Sequence, residues 1–392
     1  MRRQSLWRAA ALAILGVLAA CSSAHLPDPG EPAPRAVTAA PPVAVAERER
    51  ATLQRERARW VAADWSELPG WGQDRALELW PALAQSCARP APGWSTLCAS
   101  AALQAPADDL EAHLWLMKHL QPWRIESLDG SATGLLTGYF EPQLAASRRP
   151  QGAFRIPLHA PPPEAARRQG LPTRAQIEQD PAVRARLKPY ELAYLADPMD
   201  ALLLQIQGSG RLQIVEPDGR QRQVRMAYAG HNEQPYQSLA RQLLERGEIQ
   251  PAEASWPGLR EWARRNPQRA AELSAQLNPR YVFFREEPLG NPEQGPRGAQ
   301  GVPLTPGRSI AVDRGSIPYG TPVWLDATEP LSSTPLRRLV MAQDTGNAIA
   351  GAVRADFFWG WGAEAEAQAG RMKQPLRMWA LWPREAAARA LP

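Results

Sequence analysis

Forty prolines are spread along this 392-residue chain, and they limit what it can become. A proline inside a helix removes a backbone donor and clashes with the preceding turn, so such a chain favours short strands and loops over long helices. The length allows two domains and a sizeable core. Almost all of the 45 basic residues are arginine, the lysines being Lys118, Lys188 and Lys373, and the net charge is +5. The arginine bias reads as base composition of the source genome; a mildly basic surface also suits an anionic wall polymer or a membrane. No basic run is interleaved with aromatics, so nucleic acid is not an expected partner.

The amino terminus points to export. Arg2, Arg3 and Arg8 precede an apolar stretch, Ala9 to Ala20, that is too short to span a bilayer. It ends in Leu18-Ala19-Ala20-Cys21, which resembles the bacterial lipobox. By that resemblance residues 1–20 are a signal peptide and Cys21 carries lipid. The absence of aspartate just after Cys21 favours the outer membrane, with the protein on its periplasmic face. The alternative is a soluble exported protein whose Cys21 is incidental. Residues 21–46, rich in Pro and Ala, read as a tether. In an oxidising compartment the remaining cysteines, Cys87 and Cys98, form either a candidate disulfide or two separate buried thiols.

From Glu47 to Leu120 apolar residues recur at helical intervals, interrupted by the turn Leu68-Pro69-Gly70-Trp71, and Asp108 or Asp109 caps a helix through His119. After Ile125 short strands dominate. Gly134–Phe140, Leu202–Val215, Gln223–Tyr228 and Asn278–Arg285 are expected strands, with helices at Thr173–Leu187 and Tyr236–Gly247. A Gly/Pro/Gln loop from Glu286 to Val302 is a natural domain seam. Beyond Ser309 strands resume, with a short helix at Glu364–Arg371.

Three aspartates end or interrupt apolar strand patterns near the end of the chain: Asp313, Asp344 and Asp356. A carboxyl there is partly desolvated, and a second carboxylate nearby raises its proton affinity further. Such a group stays protonated near neutral pH, as a general acid must. The competing reading is turn-capping aspartates bonded to local N–H groups; it is preferred for Asp313, whereas Asp356 favours function and Asp344 is balanced.

Here a resemblance enters. Ala311–Trp361, with AVD…IPYGT, AQDTGNAIAG and RADFF, resembles the three-aspartate domain, a double-psi β-barrel. Further stretches, among them Leu68-Pro-Gly-Trp71, Thr137-Gly-Tyr-Phe140, Gln205-Ile-Gln-Gly-Ser-Gly-Arg211, Tyr228-Ala-Gly-His-Asn232 and Tyr281-Val-Phe-Phe284, are similar to the membrane-bound lytic murein transglycosylase A family from about Trp65 to Pro383. The resemblance implies a mainly β fold. A double-psi barrel domain with an N-terminal helical segment (47–132 and 286–392) would carry an inserted, barrel-like β domain (133–285), with the glycan strand in the groove between them.

The implied activity is cleavage of the β-1,4 bond between N-acetylmuramic acid and N-acetylglucosamine in peptidoglycan without water, leaving a 1,6-anhydromuramoyl end. Asp356 aligns with the catalytic aspartate and Asp344 with its supporting neighbour. The inserted domain's motifs offer Thr137, Tyr139, Gln205, Gln207, Ser209 and Arg211 for sugar contact, and Trp359 and Trp361 could stack on a sugar ring. Glu141 is a second candidate acid, and His231 reads as a hydrogen-bonded loop residue. With five histidines and no paired ligand spacing, no metal or other cofactor is expected, and the chain is expected to act as a monomer. Trp379 and Trp382 are expected inside the barrel.

Two positions depart from the family pattern. Asn347 stands where a second glycine is common, and Leu204 replaces a frequent aromatic. Two other functions compete: a glycoside hydrolase using Asp344 and Asp356 as base and acid, and a non-catalytic wall-binding lipoprotein.

Overall fold

The computed structural model describes residues 50–163, 165 and 170–385. The signal peptide, Cys21 and the whole tether lie outside them. Among the described residues fifteen strands occur in chain order: β1 Thr52–Gln54, β2 Arg59–Ala62, β3 Leu120–Glu126, β4 Gly134–Glu141, β5 Gln143–Ser147, β6 Ile156–His159, β7 Glu191–Leu195, β8 Ser209–Val215, β9 Gln221–His231, β10 Val282–Pro288, β11 Ser309–Val312, β12 Pro322–Thr328, β13 Pro335–Asp344, β14 Arg354–Trp361 and β15 Lys373–Pro383. They make two sheets.

The first sheet runs β1-β2-β3-β15-β12-β13-β11-β14-β4, and β4 also pairs with β15. That extra pairing closes β15, β12, β13, β11, β14 and β4 into a ring, leaving no edge among them. Two of the ring's pairings, β11 with β13 and β14 with β4, are parallel. The ring's strands are buried by apolar side chains on both faces, among them Trp324, Leu339, Phe357, Leu376 and Met378. Trp379 and Trp382 are buried, but in a cluster shared with the amino-terminal segment: Trp382 packs on Trp60 and Trp94, outside the ring rather than inside the barrel. The second sheet runs β10-β9-β8-β5-β7-β6, with its own core around Ile214, Val224, Met226 and Phe284.

Several elements differ from the sequence reading. The amino-terminal segment opens with β1 and β2, paired onto β3, before its helices Trp80–Cys87, Ser95–Leu103 and Asp109–His119. Asp108 caps the last of these, accepting from Glu111 N at 2.9 Å. Only the second half of Leu202–Val215 is strand; the first half belongs to a helix, Pro198–Gln207. Its start signal was present in Asp197-Pro198, and Gly208, at φ 81°, stops it. An apolar run such as Leu-Leu-Leu-Gln-Ile-Gln fits a buried strand or a buried helix equally by periodicity. The sequence reading also missed helices Trp256–Arg265 and Pro267–Leu277, which pack Leu259, Trp262 and Leu273 against Met199 and Leu202.

β4 is a further correction. Expected within the inserted part, it is a staff of the ring, and the chain leaves the first sheet only after Glu141. Cys87 and Cys98 are bonded, with their Cα atoms 5.3 Å apart. Among the described residues no helix is long and apolar enough to cross a membrane.

Candidate active site

Four adjacent strands of the ring assemble the site. Ala311 of β11 pairs with Asp344 at the end of β13 on one side and with Asp356 of β14 on the other. Asp356 in turn pairs with Thr137 of β4. Residues opposite one another in a ladder share a face, so Asp344, Ala311, Asp356 and Thr137 form one row across the barrel. Only the methyl of Ala311 stands between the two aspartates along that row. Aspartates twelve positions apart in sequence thus become neighbours separated by one strand.

The two carboxyls are held differently. Both oxygens of Asp344 are occupied: Ala299 N donates to Oδ1 at 2.9 Å and the Tyr139 hydroxyl donates to Oδ2 at 3.0 Å. Burial pushes Asp344 up to about 6; its hydrogen bonds oppose that shift and the charge of Asp356 adds to it. Asp356 has one partner, Thr137 Oγ1, which donates to Oδ1 at 2.5 Å. Among the described residues nothing donates to its Oδ2, and the side chain keeps part of its surface exposed. Burial raises the proton affinity of Asp356, while the Thr137 bond and the nearby Arg354 guanidinium restrain the rise. Tyr139 is pushed well above its ordinary range by burial and by both carboxylates, so it stays a neutral donor. Its ring lies 5.2 Å from that of Phe358.

Asp313 is structural, as the turn reading held. Its oxygens accept from Gly315 N at 2.9 Å and Gly351 N at 2.8 Å, and Arg57 pairs with it at 3.2 Å. Through Gly351 it pins the loop between the two site aspartates. In that loop Asn347 does not take a left-handed conformation; Gly351, at φ 113°, does.

The residues expected from the second sheet fare unevenly. Gln207 reaches back to the site strand, its Oε1 accepting from Phe140 N at 3.0 Å. Gln205 is buried, and its Oε1 accepts from Arg174 Nη2 at 2.6 Å and Val282 N at 3.1 Å. Ser209 is buried on β8. Arg211 is buried too, donating to Glu141 Oε2 at 2.7 Å, Pro292 O at 2.7 Å and Gln294 O at 3.1 Å. Internal partners therefore occupy Gln205 and Arg211, which corrects their expected place on a sugar-facing surface. Trp359 wedges between β14 and the helix Gly362–Ala369, donating to Met372 Sδ at 3.3 Å. Gly138 is required there, because a Cβ on it would sit 2.8 Å from the Trp359 Nε1 atom. Trp361 lies under the Arg211 guanidinium, 3.6 Å from ring centre to Cζ.

Glu141 is not a second acid. It is fully buried, and Arg225 Nε donates to its Oε1 at 2.5 Å while Arg211 takes Oε2. His231 accepts from Glu233 N at 2.9 Å, in keeping with a loop role. The sequence reading missed the contribution of the seam loop. Its Pro292 and Gln294 carbonyls receive the Arg211 and Arg225 donors, and its Ala299 N–H holds Asp344. No side-chain pattern marks a backbone donor in a Gly/Pro loop.

Comparison with known proteins fits this geometry. Residues 135–285 match the MltA specific insert domain and residues 308–382 match the 3D domain. The membrane-bound lytic murein transglycosylase A of Escherichia coli strain K12 is 32% identical over 267 residues, covering 67% of this chain and 69% of that protein. Among solved structures, the lytic transglycosylase LtgG of Burkholderia pseudomallei is 43% identical, covering 85% of this chain and 97% of that one, with a TM-score of 0.58. The structure of E. coli MltA with bound chitohexaose is 28% identical and covers 79% of this chain and 90% of that one, with a TM-score of 0.65. The chain belongs to the membrane-bound lytic murein transglycosylase A family.

Proposed function

We propose that this protein is a lytic transglycosylase that cleaves the β-1,4 MurNAc–GlcNAc bond of peptidoglycan without water, using Asp356 as acid and then as base. The observation that carries the assignment is the asymmetry of the carboxyls. Among the described residues Asp356 has an oxygen without a partner, whereas both oxygens of Asp344 accept hydrogen bonds. A hydrolase needs a second free carboxylate to activate water or to attack the sugar. Asp344 is poorly placed to serve as one, so the sugar's own C6 hydroxyl is the better nucleophile.

In this mechanism the Asp356 carboxyl protonates the glycosidic oxygen. Its carboxylate then takes the C6 hydroxyl proton as that oxygen closes on C1. Atoms and charge balance, and an effective molarity of roughly 10⁵ M or more for a well-placed intramolecular nucleophile removes the need for bound water. Asp344, held by Tyr139 and Ala299, stands beside Asp356 as a second carboxyl whose own proton affinity is raised by burial and by the charge of Asp356. The bound chitohexaose in the E. coli relative supports a glycan chain as ligand. We place that chain in a groove between the first sheet, β4 included, and the second sheet.

The family name supports membrane association. We assign the anchor to lipid on Cys21 at the periplasmic face of the outer membrane, with residues 21–46 as tether and the protein acting as a monomer. Cys21→Ser should move the protein from the outer-membrane to the soluble fraction; retention there would refute the anchor.

Mass spectrometry of sacculi digested by the full-length protein in detergent tests the reaction. Anhydromuramoyl ends are expected. Reducing ends would establish a hydrolase, and no soluble product would establish a binding protein. If Asp356→Asn kept near-wild-type turnover while Asp344→Asn abolished it, the two roles would be exchanged.

A further inference from the structure

Arg354 lies two positions before Asp356 on β14, so both side chains leave the strand on the same face. Arg354 pairs in the ladder with Leu135, as Asp356 pairs with Thr137, so the two rungs are consecutive on that face. Its guanidinium is half-buried and anchored to backbone. Nη1 donates to Ala355 O at 2.5 Å and to Leu135 O at 3.4 Å. The other arm, Nη2, donates to Thr137 Oγ1 at 2.9 Å. No acidic side chain lies within salt-bridge distance of Arg354 among the described residues. A half-buried guanidinium without a carboxylate partner is costly, and what it reaches is the hydroxyl beside Asp356.

We propose that Arg354 is a positioning residue that acts through Thr137 to set which oxygen of Asp356 carries the proton. A threonine hydroxyl has one proton and two acceptor lone pairs. Donation from Arg354 fills one lone pair and turns the O–H toward Asp356 Oδ1. An oxygen that accepts from Thr137 cannot also point its own proton there. The carboxyl proton is thereby confined to Oδ2, the oxygen without a protein partner. Without Arg354 the hydroxyl is free to rotate and accept a proton from Oδ1. The acid would then spend part of its time with its proton aimed at the protein rather than at the glycosidic oxygen. The guanidinium also restrains the rise in Asp356 proton affinity caused by burial, which lets the same group return to carboxylate for the second step. The other charged or titratable groups facing this position are Asp344 and Tyr139 in the site and Lys373, in register with Thr137 on β15.

The inference rests on Asp356 being the acid, and the test separates the two. Turnover of purified sacculi is measured for full-length Arg354→Gln, Arg354→Lys, Thr137→Val, the Arg354→Gln/Thr137→Val double variant and Asp356→Asn, with thermal unfolding of each. Arg354→Gln should lower kcat by roughly 10- to 100-fold, within the range of a mis-set general acid, and change KM less than twofold. Its alkaline limb should move to higher pH, because loss of a neighbouring cation favours the protonated carboxyl. Arg354→Lys should keep the wild-type limb and recover part of kcat. The double variant should be no slower than the slower single variant, since both act through one hydrogen bond. Multiplicative losses with an inactive Asp356→Asn overturn the inference alone. So does a kcat loss in Arg354→Gln that disappears once its unfolded fraction is subtracted. Near-wild-type turnover in Asp356→Asn overturns the acid assignment and the inference with it.

Discussion

Two clusters in this molecule bury carboxyl groups a few residues apart along β4, and they treat them in opposite ways. At the end of β4, Glu141 is fully buried between Arg211 and Arg225, and the remaining donors of those arginines end on Pro292 and Gln294 carbonyls. Four residues earlier, Thr137 touches Asp356, whose second oxygen has no partner among the described residues. Glu141 joins two sheets and a loop, with opposite charge at both oxygens. Asp356 has one hydroxyl, a neighbouring acid and a raised proton affinity. Saturating a buried charge makes a strut; leaving it under-satisfied makes an acid whose proton is available. Free energy withheld from stability at the second cluster is what its chemistry uses.

The comparison breaks most visibly if the two clusters are disabled in turn. Asp356→Asn should lower turnover by roughly 10²- to 10⁴-fold, the usual worth of a positioned proton donor. Its melting temperature should stay at or above the wild-type value. Glu141→Gln should do the reverse. It leaves two buried guanidiniums short of a counter-charge, a change that costs about 3–5 kcal/mol when one partner of a buried pair is removed. Urea unfolding should show that loss, while turnover per folded molecule stays within a few-fold of wild type. If Glu141→Gln abolished turnover in a folded protein, Glu141 would belong to the chemistry and the contrast would collapse.

The contrast also explains how much the sequence could disclose. Asp344 and Asp356 stood out because each ends or interrupts an apolar strand pattern, and periodicity together with small residues placed them at a strand end or inside a sheet. Their adjacency was not visible, since it depends on β11 threading between β13 and β14 with Ala311 opposite both. Thr137 and Tyr139 were found through a motif and placed on the inserted domain's wall of the groove, because nothing local shows that β4 closes the ring against β14 and β15. Gln205 and Arg211 were misplaced for a related reason. Polar residues beside glycines look like ligand contacts until the structure supplies internal partners, here Arg174 and Val282 for one and Glu141 for the other. Arg354 was legible in principle: a residue at i−2 from a strand aspartate shares its face.

The smallest effect concerns Asp344, and its sign sharpens the comparison. Burial lifts this carboxyl from an ordinary value of 3.8 to about 6 in the folded protein. The folded state therefore holds the proton more tightly than the unfolded chain. The associated stabilisation is fully present below about pH 4 and is lost as pH rises through about 6. Two pH units correspond to at most about 3 kcal/mol, and water at the open side of the site reduces this to roughly 1–2 kcal/mol. Asp344→Asn removes the ionisation while keeping an oxygen for Ala299 N and an amide for the Tyr139 oxygen. Unfolding followed at pH 4, 5, 6 and 7.5 should show no difference from wild type at pH 4 and a more stable variant at pH 7.5. The same substitution at a saturated strut could only destabilise. A variant less stable than wild type at pH 7.5 would show that the hydrogen bonds of Asp344 outweigh its desolvation, and would place it with Glu141 rather than with Asp356.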